Sequence, residues 1–180
     1  MKKHMLMAVV LGMAGYVGSA SAAVDASATF TWSGLVPAAP VSNGWIIKDA
    51  AGNDIIPGIL VFKLDSQGTK GELRSSSSID FNVYEYANNV IGAEATSYKY
   101  ELSSIKVAQG GLPQEQSANG YYAVTGDGVK MVKGAAPTAK AGGVTTLAVT
   151  TSGVATPDNQ PSPGESVDFH ALIVVSDAVI

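Results

Sequence analysis

Val24-Asp25-Ala26-Ser27-Ala28-Thr29-Phe30-Thr31-Trp32-Ser33 alternates apolar and polar residues for ten positions without a break. Successive side chains of an extended strand point to opposite faces, so this period reads as a strand with one apolar face. Val24, Ala26, Ala28, Phe30 and Trp32 share that face. The stretch that follows, Gly34-Leu35-Val36-Pro37-Ala38-Ala39-Pro40, carries two prolines, which disfavour a tight hairpin back into the same sheet and read as a spacer. Two pairings stay open for residues 24–32. They form an ordinary edge strand of the chain's own sheet, or they are offered to another molecule.

The rest of the chain repeats the period. Leu60 to Leu64, Ile79 to Tyr84, Tyr98 to Val107, Tyr121 to Thr125, Val129 to Val132, Val144 to Thr150 and Val167 to Val175 are β-rich runs. In the last, Val167, Phe169, Ala171, Ile173 and Val175 fall on one face, and the strand nearly reaches Ile180. Turn clusters separate the runs, among them Gln67-Gly68, Gln109-Gly110-Gly111-Leu112-Pro113 and Pro161-Ser162-Pro163-Gly164. Thr125-Gly126-Asp127-Gly128 lies between two short runs and predicts a tight hairpin. Eight short strands without a helical stripe predict an all-β sandwich.

Upstream of the first strand, Lys2 and Lys3 precede an apolar stretch from Met5 to about Val17 and the small-residue site Ala20-Ser21-Ala22. This is the layout of a secretory signal over residues 1–22, with an apolar stretch shorter than a membrane-spanning helix needs. Its removal leaves nine Lys and Arg against fifteen Asp and Glu. An acidic exported domain is a poor nucleic-acid binder, because phosphate contacts need clustered cations. The nearest approach to a cluster, Lys130, Lys133 and Lys140, reads more simply as solvated charge. The sequence has no Cys, which excludes disulfides, thiolate metal sites and a Cys nucleophile.

Candidates for chemistry are few. His170 is the one histidine after the signal segment and alternates with Phe169 and Ala171, so it lacks the partners that a triad or a metal site needs. Asp80 with Glu85, or Glu94 with Glu101, are carboxylate pairs that read as solvent-facing strand charges. Gly126-Asp127-Gly128 lacks the spaced ligands of a calcium loop. Tyr84, Tyr86, Tyr98, Tyr100, Tyr121 and Tyr122 with Trp45 would make a sugar-binding platform if exposed together. The plainer reading is cross-strand packing.

The exported, alternating N-terminus, the all-β body and the C-terminal strand after Ser162-Pro163-Gly164 together resemble a major subunit of chaperone–usher fimbriae. Ala28-Thr29-Phe30-Thr31-Trp32-Ser33-Gly34-Leu35-Val36-Pro37-Ala38-Ala39-Pro40-Val41 is similar to the start of subunits of the coli surface antigen five type of colonisation fimbria. The layout covers most of the chain, and the residue-level likeness mainly 23–58. Many related pilins carry a disulfide, so the lack of Cys places this chain nearer the Cys-free lineages.

The resemblance implies an incomplete immunoglobulin-like β-sandwich, completed by a donor strand from a neighbouring subunit. It divides the chain into a signal peptide (1–22), a donor-strand extension (23–36) and a sandwich body (37–180). The donor face would be Val24, Ala26, Ala28, Phe30 and Trp32, and the periplasmic chaperone would add a strand beside Val167, Phe169, Ala171, Ile173 and Val175. The implied partners are further copies of the chain, the chaperone, an outer-membrane usher and a tip adhesin subunit. No catalytic residue, metal or other cofactor is implied. The implied role is a structural subunit exported through the periplasm to a surface fimbrium used for attachment. Two other readings remain, an adhesin that binds a host glycan itself and a secreted sandwich enzyme. N-terminal sequencing of surface material is expected to return Ala23, and a start at Met1 or inside the alternating strand overturns the signal assignment.

Overall fold

A computed structural model describes residues 29–32, as backbone, and residues 44–180. The signal segment and Val24, Ala26 and Ala28 lie outside the described residues. The described chain is all β, in the order β1 (Thr29–Trp32), β2 (Gly44–Lys48), β3 (Gly58–Leu64), β4 (Gly71–Ser76), β5 (Ile79–Ala87), β6 (Val90–Glu94), β7 (Ser97–Gln109), β8 (Gln114–Glu115), β9 (Tyr122–Gly126), β10 (Val129–Lys130), β11 (Thr138–Lys140), β12 (Thr145–Thr151) and β13 (Val167–Val179). One layer runs β10-β9-β12-β5-β2 with β6 on β5, and the other runs β11-β7-β13 with β8 on β7. A third sheet, β1-β3-β4, joins them, and all the described pairings are antiparallel.

Alternating side chains from the two layers interdigitate to make the core, as sandwich packing requires. Phe81 and Val83 of β5, Val124 of β9 and Leu147 and Val149 of β12 face Tyr98, Tyr100 and Leu102 of β7 and Val167, Phe169 and Ile173 of β13. Tyr122 sits edge-on to Phe62 of β3 at 6.3 Å and 5.4 Å from Phe169 of β13, so one ring joins three strands. The price of that position is a buried Tyr122 hydroxyl with no hydrogen-bond partner. Burial pushes its pKa upward and keeps it protonated.

Strand β13 keeps its expected inward parity from Val167 to Val175, while β7 does not. Leu172 pairs with Ser104 and Ile173 with Leu102, which leaves Ser103 as an extra residue. The bulge switches the inward set of β7 from Tyr98, Tyr100 and Leu102 to Ile105 and Val107. At the predicted hairpin, Asp127 and Gly128 adopt φ of 50° and 79°, the left-handed pair of a two-residue turn between β9 and β10. Gly126 beside it is required by contact, because a Cβ there would lie 2.8 Å from the Tyr100 ring.

The alternation predicts eight strands, and the structure has thirteen among the described residues. The additions are β2, β4, β6, β8 and β11, which are short or polar and lack a clean period. The run from Val129 stops as a strand at Lys130 and does not reach Val132. Of the two pairings left open for the first strand, the described part, Thr29–Trp32, pairs with β3 of its own chain.

Two substitutions test the ring row. Phe169→Ala should lower the unfolding free energy by about 3–5 kcal/mol, as loss of a large core ring does. Tyr122→Phe should be neutral or mildly stabilising, because it removes a hydroxyl whose unsatisfied burial costs about 1–3 kcal/mol. Chemical denaturation of the isolated chain checks both, and a Tyr122→Phe loss as large as that of Phe169→Ala would refute the assignment.

Candidate functional site

The described residues hold one place where strand edges and apolar walls converge, between β3 and β13. Strand β7 takes one edge of β13, and β4 takes one edge of β3. Strand β1 occupies the space between, paired with β3 and lying against β13. The β3 wall contributes Leu60, with none of its surface exposed, and Phe62. The β13 wall contributes Val167, Phe169 and Ile173, buried, with Ala171 and Val175 half-buried against the same core.

The hydrogen bonding of β3 explains why a strand belongs there. Ile59 N–H donates to Ser77 Oγ at 2.8 Å, and Ser77 N–H donates to the Ile59 carbonyl at 2.9 Å. The polar backbone groups of Ile59 therefore face β4, and those of Leu60, one residue on, face β1. Buried backbone groups left unpaired are costly, so this edge needs a partner strand. The register sets Thr29 opposite Val61, Phe30 opposite Leu60, Thr31 opposite Ile59 and Trp32 opposite Gly58. Opposed residues share a face of the sheet, so positions 30 and 32 take the parity of buried Leu60 and Gly58, and positions 29 and 31 that of Val61 and Ile59.

The groups weighed for chemistry are dispersed or structural. His170 is half-buried opposite Lys106, away from the inward parity of β13. Asp80, Glu85 and Glu94 are exposed, with Glu101 half-buried. No group of three or more potential metal ligands occurs among the described residues. Tyr98, Tyr100, Tyr121 and Tyr122 are core residues. Tyr98 hydroxyl bonds Thr145 Oγ1 at 2.6 Å, and Tyr121 hydroxyl accepts Leu73 N–H at 2.7 Å. Tyr84 and Tyr86 alternate with Glu85, the register partner of Trp45, so Trp45 lies on the opposite face of the sheet from both tyrosines. Trp45 packs against the core, and the aromatic residues do not form one platform.

Asp127 is a well-connected carboxylate. It accepts Lys140 Nζ at 2.8 Å, Thr146 N–H at 3.0 Å and Tyr100 hydroxyl at 3.3 Å, tying the β9–β10 turn to β11, β12 and β7. Burial works to raise its pKa. The Lys140 and Thr146 hydrogen bonds, the Lys140 charge and the Tyr100 hydroxyl outweigh it and hold the carboxyl below its ordinary value. Burial and the Asp127 charge push the Tyr100 phenol up to about 12. Lys133 pairs with Glu115 and Lys130 donates to the Ser152 carbonyl, so the three lysines serve three separate contacts.

Sequence reasoning nominated the strand in the groove and its β13 wall but not its β3 wall. The signal was present in Leu60-Val61-Phe62, whose alternation places Leu60 and Phe62 together, yet alternation alone names no neighbour.

The chain is 31% identical over 156 residues to the CS5 fimbrial subunit of Escherichia coli, a likeness covering 76% of this chain and 77% of that protein. No protein-family model and no solved structure matches it.

The Asp127 contacts predict an acid-sensitive corner. A carboxyl whose folded pKa lies below its unfolded value contributes stability that is complete above the unfolded pKa, about 4, and is lost as pH falls through the folded one. Asp127→Asn should therefore destabilise the chain near neutrality and flatten the loss of stability on acidification. Denaturation midpoints measured at pH 7 and pH 3 check this, and an unchanged pH dependence would count against it.

Proposed function

The chain belongs to the family of fimbrial subunits represented by CS5, and from that premise we propose that it polymerises by donor-strand exchange. As a fimbrial subunit it is a structural component of a cell-surface fimbrium, built by association with further copies of itself. In the proposed reaction the alternating stretch Val24 to Trp32 of one subunit enters the β3/β13 groove of the next. There it contributes backbone hydrogen bonds to an edge and alternate side chains to an apolar cleft. The observation that carries the reading is the position of Thr29–Trp32 in that groove, in a register that gives Phe30 and Trp32 the parity of Leu60 and Gly58.

The same edge suits a periplasmic chaperone, which would hold a strand beside Val167 to Val175 until the usher hands the subunit to its neighbour. Residues 1–22 would direct export, 23–36 would form the donor extension and 37–180 the acceptor body. Attachment to host cells follows from the assembled fimbrium, with a tip adhesin subunit as a further partner. The alternative of direct glycan binding by this subunit is disfavoured by Trp45 lying across the sheet from Tyr84 and Tyr86.

The energetics make the test asymmetric. Ala26 and Ala28 are small, so Phe30 and Trp32 would supply most of the area that fills the groove. Each large side chain buried is worth about 1.5–3 kcal/mol. An aspartate there would lose that gain and desolvate a charge without a partner. Phe30→Asp and Trp32→Asp should abolish filaments while the subunit still accumulates with its chaperone, whereas Thr31→Asp should assemble. Electron microscopy of cells expressing each variant checks this. Normal filaments from all three, or from a chain lacking residues 23–33, overturn the reading.

A further inference from the structure

We infer that a subunit without its chaperone caps itself, with Thr29–Trp32 serving as a plug in its own groove that must be withdrawn before a neighbour's strand can enter. This rests on the donor-strand reading above. The described ladder is intramolecular and antiparallel, with Leu60 opposite Phe30 as its central buried position. Because Ile59 bonds to Ser77 on the β4 side, the Leu60 backbone groups have β1 as their partner strand. The plug also lies against β13, so it covers both walls of the cleft at once.

Tethering favours this closed form. The plug and β3 are joined through the chain between Trp32 and Gly58, and closing a loop of that size costs only slowly more as length grows. A tether able to span the two sites raises the local concentration of its strand well above that of a dilute free neighbour. An isolated subunit therefore closes on itself. The drive to assembly comes from length: the apolar alternation begins at Val24, so a strand engaging the whole stretch offers more groove-filling positions than residues 29–32 alone. Self-closure thus protects the open edges of a lone subunit and slows its spontaneous polymerisation.

The chain has no Cys, so a single engineered pair reports the contact without competing thiols. Thr31 and Ile59 face each other as a non-hydrogen-bonded pair, because the Ile59 polar groups point to β4. Such pairs have Cα atoms about 4.5 Å apart, within disulfide range. Full-length chain carrying Thr31→Cys and Ile59→Cys should form an intramolecular disulfide when oxidised at high dilution, read on non-reducing gels. A diagonally offset pair, Thr31→Cys with Val61→Cys, should link at least tenfold more slowly. On concentration, the oxidised chain should stay monomeric and should polymerise after dithiothreitol is added. Thr29→Cys with Val61→Cys is a second in-register pair, used if the first fails to fold.

Equal linking of the in-register and offset pairs, or links only between subunits, overturns self-capping while leaving donor-strand exchange intact. If the locked monomer polymerises as fast as the reduced one, self-capping is overturned as an inhibitory contact, and exchange through residues 29–32 falls with it.

Discussion

The edge of β3 at Leu60 that faces away from β4 is the constraint on which the arrangement turns. Leu60 is wholly buried, and the bonds of Ile59 to Ser77 commit its backbone to the side away from β4. A buried edge of this kind tolerates no vacancy, so the sandwich is finished only when a strand lies between β3 and β13. The two walls are not independent. Tyr122 of β9 touches Phe62 on one and Phe169 on the other, fixing the spacing that the inserted strand must fit. Its hydroxyl is buried without a partner and adds nothing to the ring contacts.

Legibility in the sequence followed how strictly each strand obeys the two-residue period. Strand β13 was readable because Val167, Phe169, Ala171, Ile173 and Val175 keep one parity through the register shift opposite Leu172 and Ile173. Strand β7 was readable as a strand but not as a face, since Ser103 resets its parity and a bulge leaves no compositional mark. Gly-Trp-Ile-Ile-Lys of β2 and Gly-Glu-Leu-Arg-Ser-Ser of β4 lack alternation because neighbours, rather than their own pattern, decide their pairing. The Asp127-Gly128 turn was visible because both residues tolerate positive φ. Asn88 and Asn89 make the equivalent turn between β5 and β6, at φ of 54° and 62°, without the glycine that usually marks one.

The polar residues that first invited chemical readings explain the body of the protein better than a reaction does. Tyr98, Tyr100 and Tyr121 carry their hydroxyls to Thr145, Asp127 and the Leu73 amide, which lets large rings fill the core without unpaired polar atoms. Asp127 joins strands of both layers through Lys140, Thr146 and Tyr100. Carboxylates and phenols spent on such contacts are fixed in place. This arrangement suits a subunit whose task is to hold its shape within a fimbrium.

Small exported domains commonly gain stability from disulfides, which restrict the unfolded chain. This chain has no Cys, so closure of its sheets must be non-covalent. Strand insertion between β3 and β13 supplies that closure and differs from a disulfide in one respect that matters for a polymer. A covalent staple ties a chain to itself permanently, whereas a ladder of backbone bonds can be exchanged for an equivalent ladder from another copy. The Thr29–Trp32 register uses no feature that distinguishes its own β3 from a neighbour's. On the donor-strand proposal, the groove would discriminate by the length and alternation of the strand it receives and by how that strand is tethered. On that proposal, a fold completed by an exchangeable strand is, for that reason, a fold able to grow.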